Sequence, residues 1–448
     1  MYKKTLSVTL MLGLIFASAC SSGGANTPAP SAKDSGNTKP AQPAEVKPDA
    51  KPEPKKGKFV FWDKSEYVKD YNDFQKERVA QFSKEFNVDV EYVAIPPADV
   101  KTKLLAAVEA GNPPDLLLAD DFVAKQFVGN NQLMDISDIL KQFDFREDSK
   151  KYAFAMEGLF EVPVYHSPNV MYVRKDKLEE KKLAPPKTWE DVKNVAKAIN
   201  DPKNNFYGLG FQLGGGGDSD GRINNLIRTF GTDIINKEGK VTINTPEALE
   251  AIKYDASFFA ENLSPQGGIT GDDAFNNNLW LAGQAGIVFN SSSIYAAMKK
   301  DKPELLEKTL IMPWPAGPKR QFGSGGGTVF IMFNKAKNTE AAKQYIKYFF
   351  DKAYYGKLLE KLNGLAGPVL NGLENTEFWQ KPENKSWFDA TRNIVPLGDP
   401  GPPDARASQA VSENILSKGV QKIVVNKMDP QKALDEMEKE FKKIYEKK

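Results

Sequence analysis

The chain has 448 residues, 27% of them charged, with a formal net charge of +2. Both signs of charge are mixed, which argues against a nucleic-acid surface. One cysteine and one histidine exclude a disulfide framework and a Cys/His zinc site, and no cofactor is implied.

Lys3 and Lys4 precede the apolar run Leu6–Phe16, which is too short for an ordinary membrane span and reads as an export signal. Ala17-Ser18-Ala19 stands directly before Cys20. Cleavage after the small triplet would release a free secreted protein. The alternative is lipidation, because the segment resembles a bacterial lipoprotein signal. That resemblance implies that residues 1–19 are removed and that Cys20 carries the acyl chains of a stable membrane anchor. Residues 20–57, rich in Pro, Ala, Lys, Asn and Thr, have almost nothing to bury and read as a disordered tether.

The folded body is expected from Lys58 onward, long enough for two lobes. Lys58–Trp62 is a buried-type strand, and Phe74, Val79, Phe82 and Phe86 recur at helical spacing. Val88–Val93 alternates as a strand. Val100, Leu104 and Val108 form a helical stripe that stops at Gly111, and Asn112-Pro113-Pro114 leads into the strand Asp115–Leu118. This alternation implies a parallel, doubly wound α/β sheet, in which ligands bind beyond the carboxyl ends of the strands. Those ends carry Trp62-Asp63-Lys64-Ser65-Glu66 and Asp120-Asp121.

Glu161–Lys177 contains Pro163 and Pro168, which forbid a helix and favour extended backbone, so it reads as a crossover between lobes. Beyond it, Thr188-Trp189-Glu190-Asp191 is a capping-box start for the face Val192, Val195, Ala196, Ile199. Gly214–Arg222 reads as a polar loop. Thr245-Pro246 opens another helix, Gly286–Phe289 and Thr328–Phe333 read as strands, and Asp429-Pro430 begins the last helix. Trp189, Trp280, Trp379 and Trp387 read as structural.

Catalytic readings are weak. Gly217-Asp218-Ser219-Asp220-Gly221 matches G-x-S-x-G, but His166 precedes the serine and glycines stand where that motif needs a strand. Asp218-x-Asp220-Gly221 lacks the remaining ligands of a calcium loop, and Gly323–Thr328 lacks the lysine of a phosphate loop. Asp120-Asp121 as a glycosidase pair would need two neighbours to converge.

Several stretches together resemble the extracellular solute-binding proteins of ABC importers, in the branch of the maltose-binding proteins. They are Ala110–Asp115, Val162-Pro163 through Tyr172–Asp176, Thr188–Val192 and Phe275 through Gly283–Gly286, with Pro313–Pro318, Gly325–Phe333 and Asn338–Phe349 in matching order. The resemblance implies a two-lobe periplasmic-binding-protein fold with hinge crossovers. Residues 58–165 plus 291–334 would form the first lobe, and 166–290 plus 335–448 the second. Tyr165, His166, Asn290, Ser291, Asn334 and Lys335 would form the hinge. It also implies a monomeric receptor, not an enzyme, that captures a carbohydrate, by expectation an oligosaccharide, and hands it to ABC permease subunits by hinge closure. The alternatives are a polyamine, a phosphorylated polyol or a metal chelate in the same fold, or a surface glycoside hydrolase.

A neutral sugar needs charged or amide partners for its hydroxyls and aromatic surface for its rings. The candidates are Trp62, Lys64, Glu66, Asp120 and Asp121 from the first lobe and Gln212, Asp218, Asp220 and Arg222 from the glycine loop. Ser293, Tyr295 and Trp314 lie near the return crossover, and Asp399, Asp404 and Arg406 in or beside a Gly/Pro-rich stretch. For Trp62 and Trp314 the alternative is a place in the core, and for each Asp a solvated surface.

Overall fold

A computed structural model of the chain describes residues 57–446, apart from positions 67, 128–130, 154–159, 216, 363–365, 393, 396–397 and 403. The expected signal, Cys20 and all of the tether except Gly57 lie outside the described residues. The strands are β1 (Lys58–Lys64), β2 (Asp89–Ile95), β3 (Leu116–Asp120), β4 (Val162–Arg174), β5 (Tyr207–Leu209), β6 (Ala285–Asn290), β7 (Thr309–Met312), β8 (Ser324–Ile331) and β9 (Gly367–Pro368). Their order is β2-β1-β3-β8-β4-β6-β5, with β7 and β9 also paired to β4.

β1 is parallel to β2 and β3, and β5 to β6, as βαβ alternation requires. The sheets are nonetheless mixed rather than wholly parallel. β8 enters between β3 and β4 and runs against both.

β4 is 13 residues long because it serves two sheets. Val162–Asn169 pairs with β8, whereas Val170–Val173 pairs with β6 and Met171–Arg174 with β7. The proline-marked crossover is therefore one continuous strand. Its handover falls at Asn169–Val170, beyond Tyr165 and His166, which still pair with Thr328 and Gly327 in the first sheet. Asn290, the last residue of β6, pairs with Val170, and Ser324, the first of β8, pairs with Asn169. The crossings thus meet at one place. Asn334 and Lys335 lie past the far end of β8, where Asn334 Nδ2 reaches the Asn131 carbonyl at 3.1 Å.

Strand alternation decides which side chains pack where. Leu116 and Leu118 face a core with Phe59, Phe61 and Phe330, while Leu117 and Ala119 face one with Val100, Leu104 and Val329. Met171, Val173, Ile287 and Phe289 join Trp189, Val192 and Ile199 in a core of the second sheet. The Trp189–Ile199 helix starts with the expected capping box, Asp191 N donating to Thr188 Oγ1 at 3.1 Å and Thr188 N to Asp191 Oδ2 at 2.9 Å. Such a cap contributes about 1 kcal/mol.

The helices Thr339–Phe349 and Lys352–Lys361 pack with the first sheet, where the sequence placed them with the second. Tyr345 sits 4.9 Å from Phe61, centroid to centroid. Their apolar faces would suit either sheet, so only the tertiary fold assigns them. Leu416, Val420, Leu434 and Met437, nearer the C-terminus, do lie in the second core. Trp189, Trp280, Trp379 and Trp387 are all buried.

Candidate functional site

The first polar cluster forms at the carboxyl end of β3. Register pairs Asp120 with Thr328 and Thr328 with Tyr165, one row across β3, β8 and β4. Lys64 ends β1 there, with Nζ 2.5 Å from Asp120 Oδ1 and 2.8 Å from Glu66 Oε1. Tyr165 donates its hydroxyl to Glu66 Oε1 at 2.7 Å. Asn72 clamps the Glu66 backbone, accepting from its N at 2.8 Å and donating to its O at 2.7 Å. Burial opposes the Lys64 ammonium, yet Tyr165, Asp120 and Glu66 lift its pKa well above the ordinary lysine range. Burial raises the Asp120 carboxyl, against the pull of Lys64. An ammonium set between two carboxylates offers donors and acceptors side by side, as hydroxyl groups require.

The second cluster lies where β6 ends. The expected glycine loop is in fact the start of a helix, Gly217–Phe230, because Asp273 accepts from Gly217 N at 2.9 Å and Asp218 N at 3.1 Å. Its apolar residues Ile223, Leu226, Ile227 and Phe230 then bury on the second core. Asp218 Oδ2 accepts from Asn276 Nδ2 at 3.1 Å, and Asn290 donates to Asn276 Oδ1 at 2.9 Å and to Asn277 Oδ1. Asn290 Oδ1 accepts from Ser291 N at 2.7 Å and Ser293 Oγ at 3.1 Å. Burial, then the neighbouring Asp273, pushes the Asp218 carboxyl up to about 6.

Between the clusters runs a strip the sequence reading missed. Ser167 and Asn169 are half-buried positions in an otherwise buried stretch of β4, and they pair with Gly326 and Ser324, which are also half-buried. Alternation puts Ser167 and Asn169 on the face of Tyr165, and Gly326 and Ser324 on that of Thr328. The signal was present: two polar residues spaced by two within an apolar strand.

Other candidates are held elsewhere. Arg222 makes a two-point buried ion pair with Asp255, Nε to Oδ1 at 2.9 Å and Nη2 to Oδ2 at 3.1 Å. Asp220 accepts from Leu416 N and Ser417 Oγ, capping the Ile415–Asn426 helix. Asp121 is buried against Lys125, so it diverges from Asp120. Asp399 pairs with Arg228, and Asp404 caps its helix while pairing with Arg406, whose Nη1 also donates to the Tyr445 carbonyl. Trp314 packs 4.4 Å from Phe289 and Tyr295 5.7 Å from Trp387, both as core. Trp62 is half-buried beside the Val100–Leu104 core, and the Gln212 side chain is buried near Asp218.

The hydrolase readings find no geometry. Ser219 is wholly buried and donates to the Gln212 carbonyl. His166 is buried at 2.9 Å from Ser149 Oγ, and burial, then Arg146, lowers its pKa to about 4. Among the described residues no group of three His, Cys, Asp or Glu side chains is placed to hold a metal ion.

The family model for bacterial extracellular solute-binding proteins matches residues 65–355. A putative binding protein of Brucella abortus (strain 2308) is 27% identical over 280 residues, covering 61% of this chain and 64% of that protein. The match thus spans a little under two thirds of that relative. A putative ABC transporter periplasmic-binding protein of Escherichia coli (strain K12) is 21% identical over 387 residues, 82% of this chain and 88% of that one. The structure of maltose-bound T. maritima MalE3 superposes with a TM-score of 0.70 at 20% identity, covering 87% of this chain and 100% of that chain. At that identity the likeness shows the two-lobe α/β fold alone.

Proposed function

We propose the following for a chain that belongs to the bacterial extracellular solute-binding protein family: it captures a carbohydrate, an oligosaccharide by preference, and delivers it to an ABC permease. The observation that carries the reading is the pair of polar clusters on either side of the handover in β4, the strand that serves both sheets. Lys64, Glu66, Asp120 and Tyr165 stand on one side and Asp218, Asn276 and Asn290 on the other. Each side mixes donors with acceptors, which suits neutral hydroxyls. The Lys64 ammonium disfavours a polyamine, and the carboxylates disfavour a phosphorylated polyol. The maltose held by the T. maritima structure supports the same class.

In this reading the lobes divide at Asn169–Val170, Asn290–Ser291 and Gly323–Ser324, and closure bends the chain there. Residues 335–390 go with the first lobe and the chain beyond about 405 with the second. Cys20 carries the lipid anchor outside the cell, and the receptor works as a monomer.

A thermal-unfolding screen of the full chain tests this against sugars, polyamines, sugar phosphates and metal ions. A ligand at 100 times its Kd adds about 2.7 kcal/mol, a rise of a few degrees. The expected result is a shift with a carbohydrate series that Lys64→Ala abolishes. A shift with a polyamine or a phosphate alone refutes the substrate class.

A further inference from the structure

Glycine weakens helices and strands relative to alanine, so one inside a regular element calls for a reason. Most glycines here have one in the fold. Gly325 has φ +152, and a Cβ on it would stand 2.5 Å from the Ser167 carbonyl oxygen; on Gly214 it would stand 2.2 Å from that of Gly271. Two have none. Gly221 lies within the Gly217–Phe230 helix and Gly326 within β8. Neither has a left-handed φ, and among the described residues a Cβ on either would meet nothing within 4 Å.

The two positions border connected ground. Asn225, one turn beyond Gly221 on the same helix face, donates Nδ2 to the Phe322 carbonyl at 3.2 Å, where the chain enters β8. Its Oδ1 has no donor although the residue is only 5% exposed. Ahead of the same helix Gln212, 1% exposed, sits with its side chain against Asp218 and favours the ionised carboxyl. Gly326 shares the strand face of Thr328, in the row of Asp120 and Tyr165. Bare backbone therefore lies on the helix that carries the unsatisfied Asn225 Oδ1 and on the strand face of Thr328, whose row includes Asp120 and Tyr165.

We propose that Gly221 and Gly326 are specificity-determining residues that admit a ring of the ligand against bare backbone, with Asn225 Oδ1 accepting one ring hydroxyl. The ligand class is a neutral polyol ring, and the inference rests on the carbohydrate reading above. A side chain at either glycine fills the space the ring occupies, while the unligated fold has no reason to object.

The test compares wild type, Gly221→Leu and Gly326→Val as full chains. Leucine suits a helix and valine a strand, so both changes favour the local element. Unligated Tm is measured first, then Kd by titration calorimetry against glucose, galactose, maltose, maltotriose, cellobiose and laminaribiose. The expected result is an unligated Tm equal to or above wild type with at least a tenfold loss of affinity. A fall in unligated Tm would show that the fold itself requires these glycines and overturns the inference. Unchanged Kd values overturn it too, leaving the carbohydrate reading intact. A wild type that binds none of the six sugars overturns both.

Discussion

Asp63 offers a test of the energetics beside the first cluster. It precedes Lys64 in β1 but points inward, 1% exposed, with Oδ2 accepting from Tyr92 Oη at 2.7 Å and Oδ1 without a partner. Gln75 lies close by, and its side chain also favours the ionised carboxyl. Burial, only partly offset by the Tyr92 bond, pushes the Asp63 carboxyl from 3.8 to about 7. A gap of that size corresponds to about 4 kcal/mol. Between these values the folded chain holds a proton that the unfolded chain has released. The stabilising contribution is therefore complete below about pH 4 and lost as pH rises through about 7. Asp63→Asn stays neutral throughout. Variant and wild type should match near pH 4, and the variant should be more stable by up to about 4 kcal/mol at pH 8, on the order of 5 °C in Tm. Thermal unfolding of both proteins at half-unit steps from pH 4 to 8 reads this out. A difference that does not grow with pH, or a variant less stable at pH 8, refutes the reasoning.

Arg222→Ala should lower stability by about 3–5 kcal/mol, because it leaves Asp255 charged, unpaired and wholly buried. The double variant Arg222→Met/Asp255→Asn should recover much of that loss in urea unfolding, and no recovery would mean the pair is not the cause. Asp218, with its carboxyl pushed up to about 6, should accept ligand hydroxyls best when ionised. Affinity should then fall as pH drops through about 6, and Asp218→Asn should flatten that dependence in calorimetric titrations.

Much of the fold was legible because local rules act over a few residues. The Thr188–Asp191 capping box, the Thr245-Pro246 helix start and the buried tryptophans follow from spacing and side-chain type. So does the proline-marked crossover, since proline excludes a helix wherever it falls. The clustering of Lys64, Glu66 and Asp120 in the candidate site was legible for the same reason: they sit at strand ends, where an α/β sheet exposes polar side chains.

What the sequence alone determined, then, is most of the main strands and helices, their apolar faces and the strand ends where polar residues gather. Partners and register were decided only by the tertiary structure. Asp220 and Arg222 looked like cleft residues, but one meets the Ile415–Asn426 helix and the other Asp255, contacts made across the core. The row Asp120, Thr328, Tyr165 and the strip Ser167, Asn169, Ser324 exist because β8 inserts antiparallel between β3 and β4. The physical reason is that a one-residue shift of register would turn every side chain of β8 to the other face. Register is set by contacts between segments far apart in the chain, which the periodicity of either segment alone does not encode.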